Sequence, residues 1–188
     1  MNAQGGKLRK MVLKSDGKGG FEAILRSDIS SLEGLIDTVR VSLLSAGCTE
    51  ATVSRMDAVT EEVFANICHY AYDGNHGKVS VRLRISGGDA TLTFVDSGRP
   101  FDPIAYNCND MGSAEERIGG LGIRMVLGFV DEAEFRREDG SNILILKMKG
   151  VVPDSRIRRR RRWFTGCSSL SDELLLHSCK LSAQHADL

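Results

Sequence analysis

The chain has 188 residues, with 25 Lys+Arg against 25 Asp+Glu, a formal net charge of zero, 41% hydrophobic residues and 27% charged ones. That length and balance fit one globular domain whose core needs neither disulfides nor metal, and they exclude collagen-like, coiled-coil and wholly disordered chains. No apolar run approaches the roughly 18–20 residues of a bilayer-spanning helix, and MNAQGGKLRKMVLK at the N-terminus lacks the apolar stretch of a signal peptide, so a cytoplasmic location is expected. The zero is a sum of unlike parts: residues 1–150 carry 18 Lys/Arg and 21 Asp/Glu, residues 151–188 carry 7 and 4, and Arg156 with Arg158 to Arg162 supply six of those seven. Such a run reads as a solvated tail or an anionic-partner site. The five cysteines (48, 68, 108, 167, 179) are odd in number and form no CxxC pair, so reduced thiols are expected rather than a disulfide or zinc framework.

In chain order, Met11-Val12-Leu13 and Phe21-Glu22-Ala23-Ile24-Leu25 read as two short strands around a glycine-rich turn. A helix is predicted over 28–46, because Leu32, Leu35, Ile36, Val39, Leu43 and Leu44 recur at three- and four-residue spacing. Ser30 with Glu33 has capping-box spacing at its start. A second helix is predicted over 49–72, with Val53, Met56, Val59, Val63, Phe64 and Ile67 as its buried stripe. Residues 78–85 alternate apolar and polar without a fault, the pattern of a strand with one buried and one wet face. Gly87-Gly88-Asp89 turns it into a partner strand over 90–95. Residues 96–119 read as irregular, a length that is usually functional or mobile. A helix is predicted to start near Gly120 and run to about Val130, followed by a closing hairpin, 132–138 and 142–149, around Asp139-Gly140. Beyond Pro153 the patterning fails, apart from a hint of a short helix over 171–180. The order of strand pairs and helices predicts an α+β fold, a mostly antiparallel mixed sheet with helices on one face and Arg82 and Arg84 on the other.

Three segments carry chemistry. On the second helix Glu62 and Asn66 stand four residues apart and share a face; a carboxylate beside a carboxamide can orient a hydroxyl and ligate a hard cation such as Mg²⁺. Asp96-Ser97-Gly98-Arg99-Pro100-Phe101-Asp102-Pro103 follows a strand, where Asp96 can accept a hydrogen bond from an exocyclic amine such as that of adenine. Gly119-Gly120-Leu121-Gly122-Ile123 leads into a helix and can bring backbone N–H groups to phosphate oxygens. It has no Gly-Lys-[Ser/Thr] ending and is not a Walker P-loop. Taken singly, each segment also fits a plain solvated face or turn.

In this order and spacing the three segments resemble the GHKL (Bergerat-fold) ATPase superfamily of gyrase, heat-shock chaperone, histidine kinase and mismatch-repair ATPases. The small size and the Pro-Phe-Asp-Pro variant resemble, within it, the bacterial anti-sigma factor serine/threonine kinases. The resemblance covers roughly residues 10–149. It implies a two-layer sandwich, ATP and Mg²⁺ as cofactors, Glu62 as the general base, and Asn66 as the Mg²⁺ ligand. It further implies that Asp96 binds the adenine amine with Gly98 giving the ligand room, that Gly120, Leu121 and Gly122 line the phosphates, and that residues 104–118 form an ATP lid whose Arg117 reaches the γ-phosphate. The family often has His-Ala-Tyr or His-Gly-Tyr four residues after the Asn, where this chain has Tyr70-Ala71-Tyr72, so His69 is assigned no role. The domain reading is an ATP-binding kinase domain over 1–150 and a basic tail over 151–188. Implied partners are a sigma factor, an antagonist protein phosphorylated on serine, and a second copy in a homodimer, with no membrane. The Arg run lacks interleaved aromatics, so nucleic acid is not expected. The alternative reading is a regulatory module that binds ATP and sequesters a partner without phosphorylating it.

Overall fold

The computed structural model describes residues 12–15, 20–108 and 114–152. Its strands are β1 (Val12–Ser15), β2 (Phe21–Arg26), β3 (Lys78–Ser86), β4 (Asp89–Asp96), β5 (Glu132–Glu138) and β6 (Ser141–Met148), and its helices α1 (Leu32–Ser45), α2 (Glu50–Tyr70), α3 (Pro103–Cys108) and α4 (Ala114–Phe129). The strands form one sheet in the order β1-β2-β3-β4-β6-β5. All its pairings are antiparallel, so the expected α+β fold with its antiparallel sheet stands and the described strands add no parallel pair to it.

Period-two alternation decides the faces. Ala23, Val81, Phe94 and Leu144 lie directly opposite one another across β2, β3, β4 and β6, and Phe21, Leu83, Leu92 and Leu146 make the next row. Both rows are buried. On them lie Leu35, Val39 and Leu43 of α1, and Val53, Met56, Val59, Val63 and Phe64 of α2. Each such side chain contributes about 1.5–3 kcal/mol by leaving water. The other face is wet, with Arg82 exposed and Glu22 accepting from its guanidinium at 2.9 Å; Arg84 is exposed as well. The core continues past β6 to Val151, which is buried.

Local chemistry sets the element ends. Thr49 caps α2, its hydroxyl accepting from the Thr52 N–H at 3.2 Å. At α1 the Ser30–Glu33 box does not form. Asp28 caps a 3₁₀ turn, Ile29–Ser31, by accepting from the Ser30 N–H at 3.1 Å, and Ser31 precedes α1 without a side-chain cap. A short aspartate two residues ahead satisfies the free N–H first. Asp139 and Gly140 both take positive φ, 48° and 78°, the geometry of the tight hairpin turn their sequence foretells.

The segment after β4 departs from expectation. Residues 103–108 form α3, and α4 begins at Ala114 rather than near Gly120, so Gly119, Gly120, Leu121 and Gly122 lie inside a helix. Of the expected lid, residues 109–113 lie outside the described residues; so do the side chain of Arg117 and everything from 153 onward, including the Arg run, the hint of a helix over 171–180, Cys167 and Cys179. Cys48 and Cys68 are free thiols, and burial pushes the Cys68 thiol up to about 11.

Candidate functional site

A cavity of about 320 Å³ opens between the C-terminal half of α2, the end of β4, the start of α3 and the β5–β6 hairpin. That volume lies at the lower end of the range of about 300–1,000 Å³ seen for small-molecule sites. Ile67, Phe94, Ile123, Phe135 and Leu144 give it apolar walls, and Asn66, Asp96, Arg99 and Asn142 are among its polar groups.

Asp96 is the last residue of β4 and only 6% exposed. Its Oδ1 accepts from the Gly98 N–H at 2.8 Å and from Asn142 Nδ2 at 3.0 Å. Oδ2 receives no hydrogen bond from the described residues and is not sealed from solvent. Burial pushes the Asp96 carboxyl above its ordinary value; the Gly98 N–H, Asn142 and the Arg137 guanidinium pull the other way without winning. A buried carboxylate with one oxygen committed and one open is suited to accept a hydrogen bond from a ligand.

The turn after Asp96 is stapled to the end of α2. The Arg99 N–H donates to the Ala71 carbonyl at 2.9 Å, and the Tyr72 hydroxyl accepts from the Ser97 N–H at 3.1 Å while donating to the Lys78 carbonyl at 3.0 Å. The resemblance implies that Gly98 gives a ligand room, and the structure gives this glycine a packing demand of its own. The space a side chain there would take is filled by Ala71, backbone carbonyl included. The glycine allows the close approach of two chain segments at the edge of the cavity, which Ala71 also lines.

On α2, Asn66 Nδ2 donates to Glu62 Oε1 at 2.7 Å, so the pair predicted from four-residue spacing is in direct contact. Asn66 faces the cavity and Glu62 stands behind it. Against the Glu62 carboxylate lies Gly122, so closely that a Cβ there would collide with it. The expected phosphate loop thus lies within α4 in this structure. N–H groups inside a helix donate to carbonyls four residues back, so in this conformation Gly120, Leu121 and Gly122 do not offer a row of free donors, and Leu121 is 70% exposed. His69 is exposed and packed edge-on to Tyr70 at 5.9 Å between ring centroids.

Asn142 and Arg137 are members of the site that local sequence patterns do not single out. Arg137 of β5, Asn142 of β6 and Asp96 of β4 lie directly opposite one another across three strands. Arg137 Nη1 donates to Asn142 Oδ1 at 2.6 Å and to the Gly98 carbonyl at 3.2 Å, and Asn142 Nδ2 also donates to the Arg99 carbonyl at 3.0 Å. Only the strand pairing, which joins positions 46 residues apart, reveals the set.

Among the described residues no helix is long and apolar enough to cross a membrane. Two anti-sigma F factors, from Thermoanaerobacter sp. (strain X514) and Thermoanaerobacter pseudethanolicus (strain ATCC 33223 / 39E), are each 27% identical to this chain over 99 residues, which is 52% of this chain and 68% of theirs. A crystal structure of the RsbU and RsbW domains of a Mycobacterium tuberculosis protein aligns at a TM-score of 0.47 and 17% identity, over 67% of this chain and 32% of that one; the chain thus spans about a third of that protein's length. The sequence model of the histidine kinase-like ATPase domain matches residues 25–148, more than half of the chain. That match implies a site for ATP, and the chain belongs to the histidine kinase-like ATPase domain family.

Proposed function

We propose that this chain is an anti-sigma factor of the partner-switching kind, one that holds a sigma factor and, with ATP and Mg²⁺, phosphorylates a serine of an antagonist protein. The observation that carries the ATP part is Asp96: a buried carboxylate with an open oxygen in an apolar-walled cavity, within a chain that matches an ATPase domain family. The anti-sigma part rests on the similarity to the two anti-sigma F factors. On this reading residues 1–150 are the kinase domain, residues 151–188 lie outside its machinery, the protein works in the cytoplasm, and two copies form a homodimer.

The residues present fit the group. Apolar walls suit a purine ring, and Asp96 Oδ2 can accept from its amine. Asn66 donates through Nδ2 to Glu62, which leaves its Oδ1 as an oxygen ligand of the kind Mg²⁺ takes. Bound ATP supplies the phosphoryl group to be transferred. Glu62 takes the proton of the acceptor serine hydroxyl on the carboxylate oxygen that Asn66 does not hold, and Asn66 fixes the direction of that carboxylate. Such transfer is mostly positioning and charge neutralisation. Gly120, Leu121, Gly122 and Arg117 reach the phosphates, on this reading, only once the first turns of α4 open.

The test is transfer of labelled γ-phosphate to a co-encoded antagonist carrying an acceptor serine. Glu62→Gln is expected to lower the rate by about 10²–10⁴-fold, the usual worth of a general base, with ADP affinity nearly unchanged. Equal rates would overturn the assignment of Glu62. A second reading, sequestration with ATP bound but no transfer, is favoured by one observation, the seating of Gly122 against the Glu62 carboxylate. Partner binding with no transfer by the unaltered chain would select it.

A further inference from the structure

We infer that Asn142 and Arg137 are positioning residues that hold the Asp96 carboxylate so that Oδ2 alone meets the base, and that they thereby set a preference for amino-purines over oxo-purines. The inference rests on the nucleotide reading above. Its basis is the row Arg137–Asn142–Asp96, in which each residue is the register partner of the next.

The row has a direction. A guanidinium can only donate. Arg137 Nη1 donates to Asn142 Oδ1 at 2.6 Å, so the carboxamide is turned with its oxygen toward β5 and its Nδ2 toward Asp96. Nδ2 then donates to Asp96 Oδ1 at 3.0 Å, and the Gly98 N–H donates to the same oxygen at 2.8 Å. Arg137 also donates to the Gly98 carbonyl at 3.2 Å, bracing the turn that supplies this second donor. Two donors on Oδ1 stop the carboxylate from rotating about its axis, and Oδ2 is what the cavity meets. A 6-amino group donates to that oxygen. A 6-oxo group sets a lone pair against it and leaves a buried carboxylate unanswered, which costs binding.

Removing Arg137 takes the donor from Asn142 Oδ1, leaves the carboxamide held through Nδ2 alone by Asp96 Oδ1 and the Arg99 carbonyl, and takes a positive charge from beside Asp96, so the carboxylate is held less firmly and keeps its proton more tightly. Besides Arg137 from β5, Asn142 from β6 and the Gly98 N–H act on Asp96, and Tyr72 from the segment after α2 feels its charge; Asn66 from α2 and Arg99 from the turn line the same cavity.

The test uses the full chain, calorimetry with ADP–Mg²⁺ and with inosine diphosphate–Mg²⁺, and a pH series. The unaltered chain is expected to bind ADP at least about tenfold more tightly than the inosine nucleotide, the worth of one good hydrogen bond. Arg137→Met and Asn142→Ala are each expected to narrow that ratio by about three- to tenfold and to move the pH at which ADP affinity is half lost upward. An Arg137→Met protein with ratio and pH half-point unchanged overturns the inference and leaves the nucleotide reading standing. Failure of the unaltered chain to bind ADP overturns both. Should Asn142→Ala not fold, being buried, the Arg137→Met result decides, because Arg137 is exposed on an edge strand.

Discussion

Asp96 stands where a carboxylate is least comfortable, 6% exposed beneath apolar walls. Burial outweighs its two hydrogen bonds and the Arg137 charge, so its folded pKa is raised. For an acid raised on folding, the stabilising contribution is fully present below the unfolded value of about 3.9 and is lost as pH rises through the folded one. Above that window the ionised side chain is a standing cost to the fold. Asp96→Asn removes the cost while an amide oxygen can still accept from the Gly98 N–H and Asn142. The variant is therefore expected to gain stability relative to the unaltered chain as pH rises from about 4 to 7, read as urea midpoints at each pH. A variant that loses ground over that range would contradict the burial argument. Asp96, Asn66 and Glu62, which the structure places in or beside the cavity, can be singled out in the sequence because residue type and four-residue spacing are local facts, although their roles come from the resemblance of three segments together. Asn142 and Arg137 cannot, because an Asn two residues after Asp139-Gly140 looks like part of the turn until β6 is known to pair with β4.

At the scale of elements, the outcome was governed by how local each signal was. The 78–85 alternation gave β3 almost to the residue, and the Asp139-Gly140 turn gave the β5–β6 hairpin. The glycines of α4 misled in the other direction. Each costs a helix up to about 1 kcal/mol against Ala, so local chemistry predicts a break at Gly119, Gly120 and Gly122, yet the helix runs from Ala114 through these three and buries Ile123 and Val126 beyond them. Packing of the later turns outweighs propensity in the earlier ones. The third of these glycines meets a further demand, since a Cβ at 122 would press on the Glu62 carboxylate. That group is the far end of a flexible side chain and can swing away, but only by leaving Asn66. Gly122→Ala is expected to slow phosphotransfer by about ten- to hundredfold, the usual penalty for misplacing a reacting group, while ADP affinity changes little. Transfer at the unaltered rate would mean that the Glu62–Asn66 contact does not matter to the reaction.

For the whole molecule, fold class was readable and strand order was not. Strand pairs separated by helices predicted α+β, but nothing local says that β3 returns to lie beside β2 after two helices, or that β6 inserts between β4 and β5. Those two long-range choices build the site: the first lays α2 across the sheet, and the second carries Asn142 and Arg137 to Asp96. The zero net charge proves uninformative about partners, because the recognition proposed here depends on one buried carboxylate and its donors. The central claim is that this cavity binds an adenine nucleotide through Asp96, and calorimetric titration of ADP–Mg²⁺ into the full chain and its Asp96→Asn variant at neutral pH tests it most directly. Saturable binding weakened at least about tenfold by the substitution is the expected result, and equal affinity in the two proteins would contradict it.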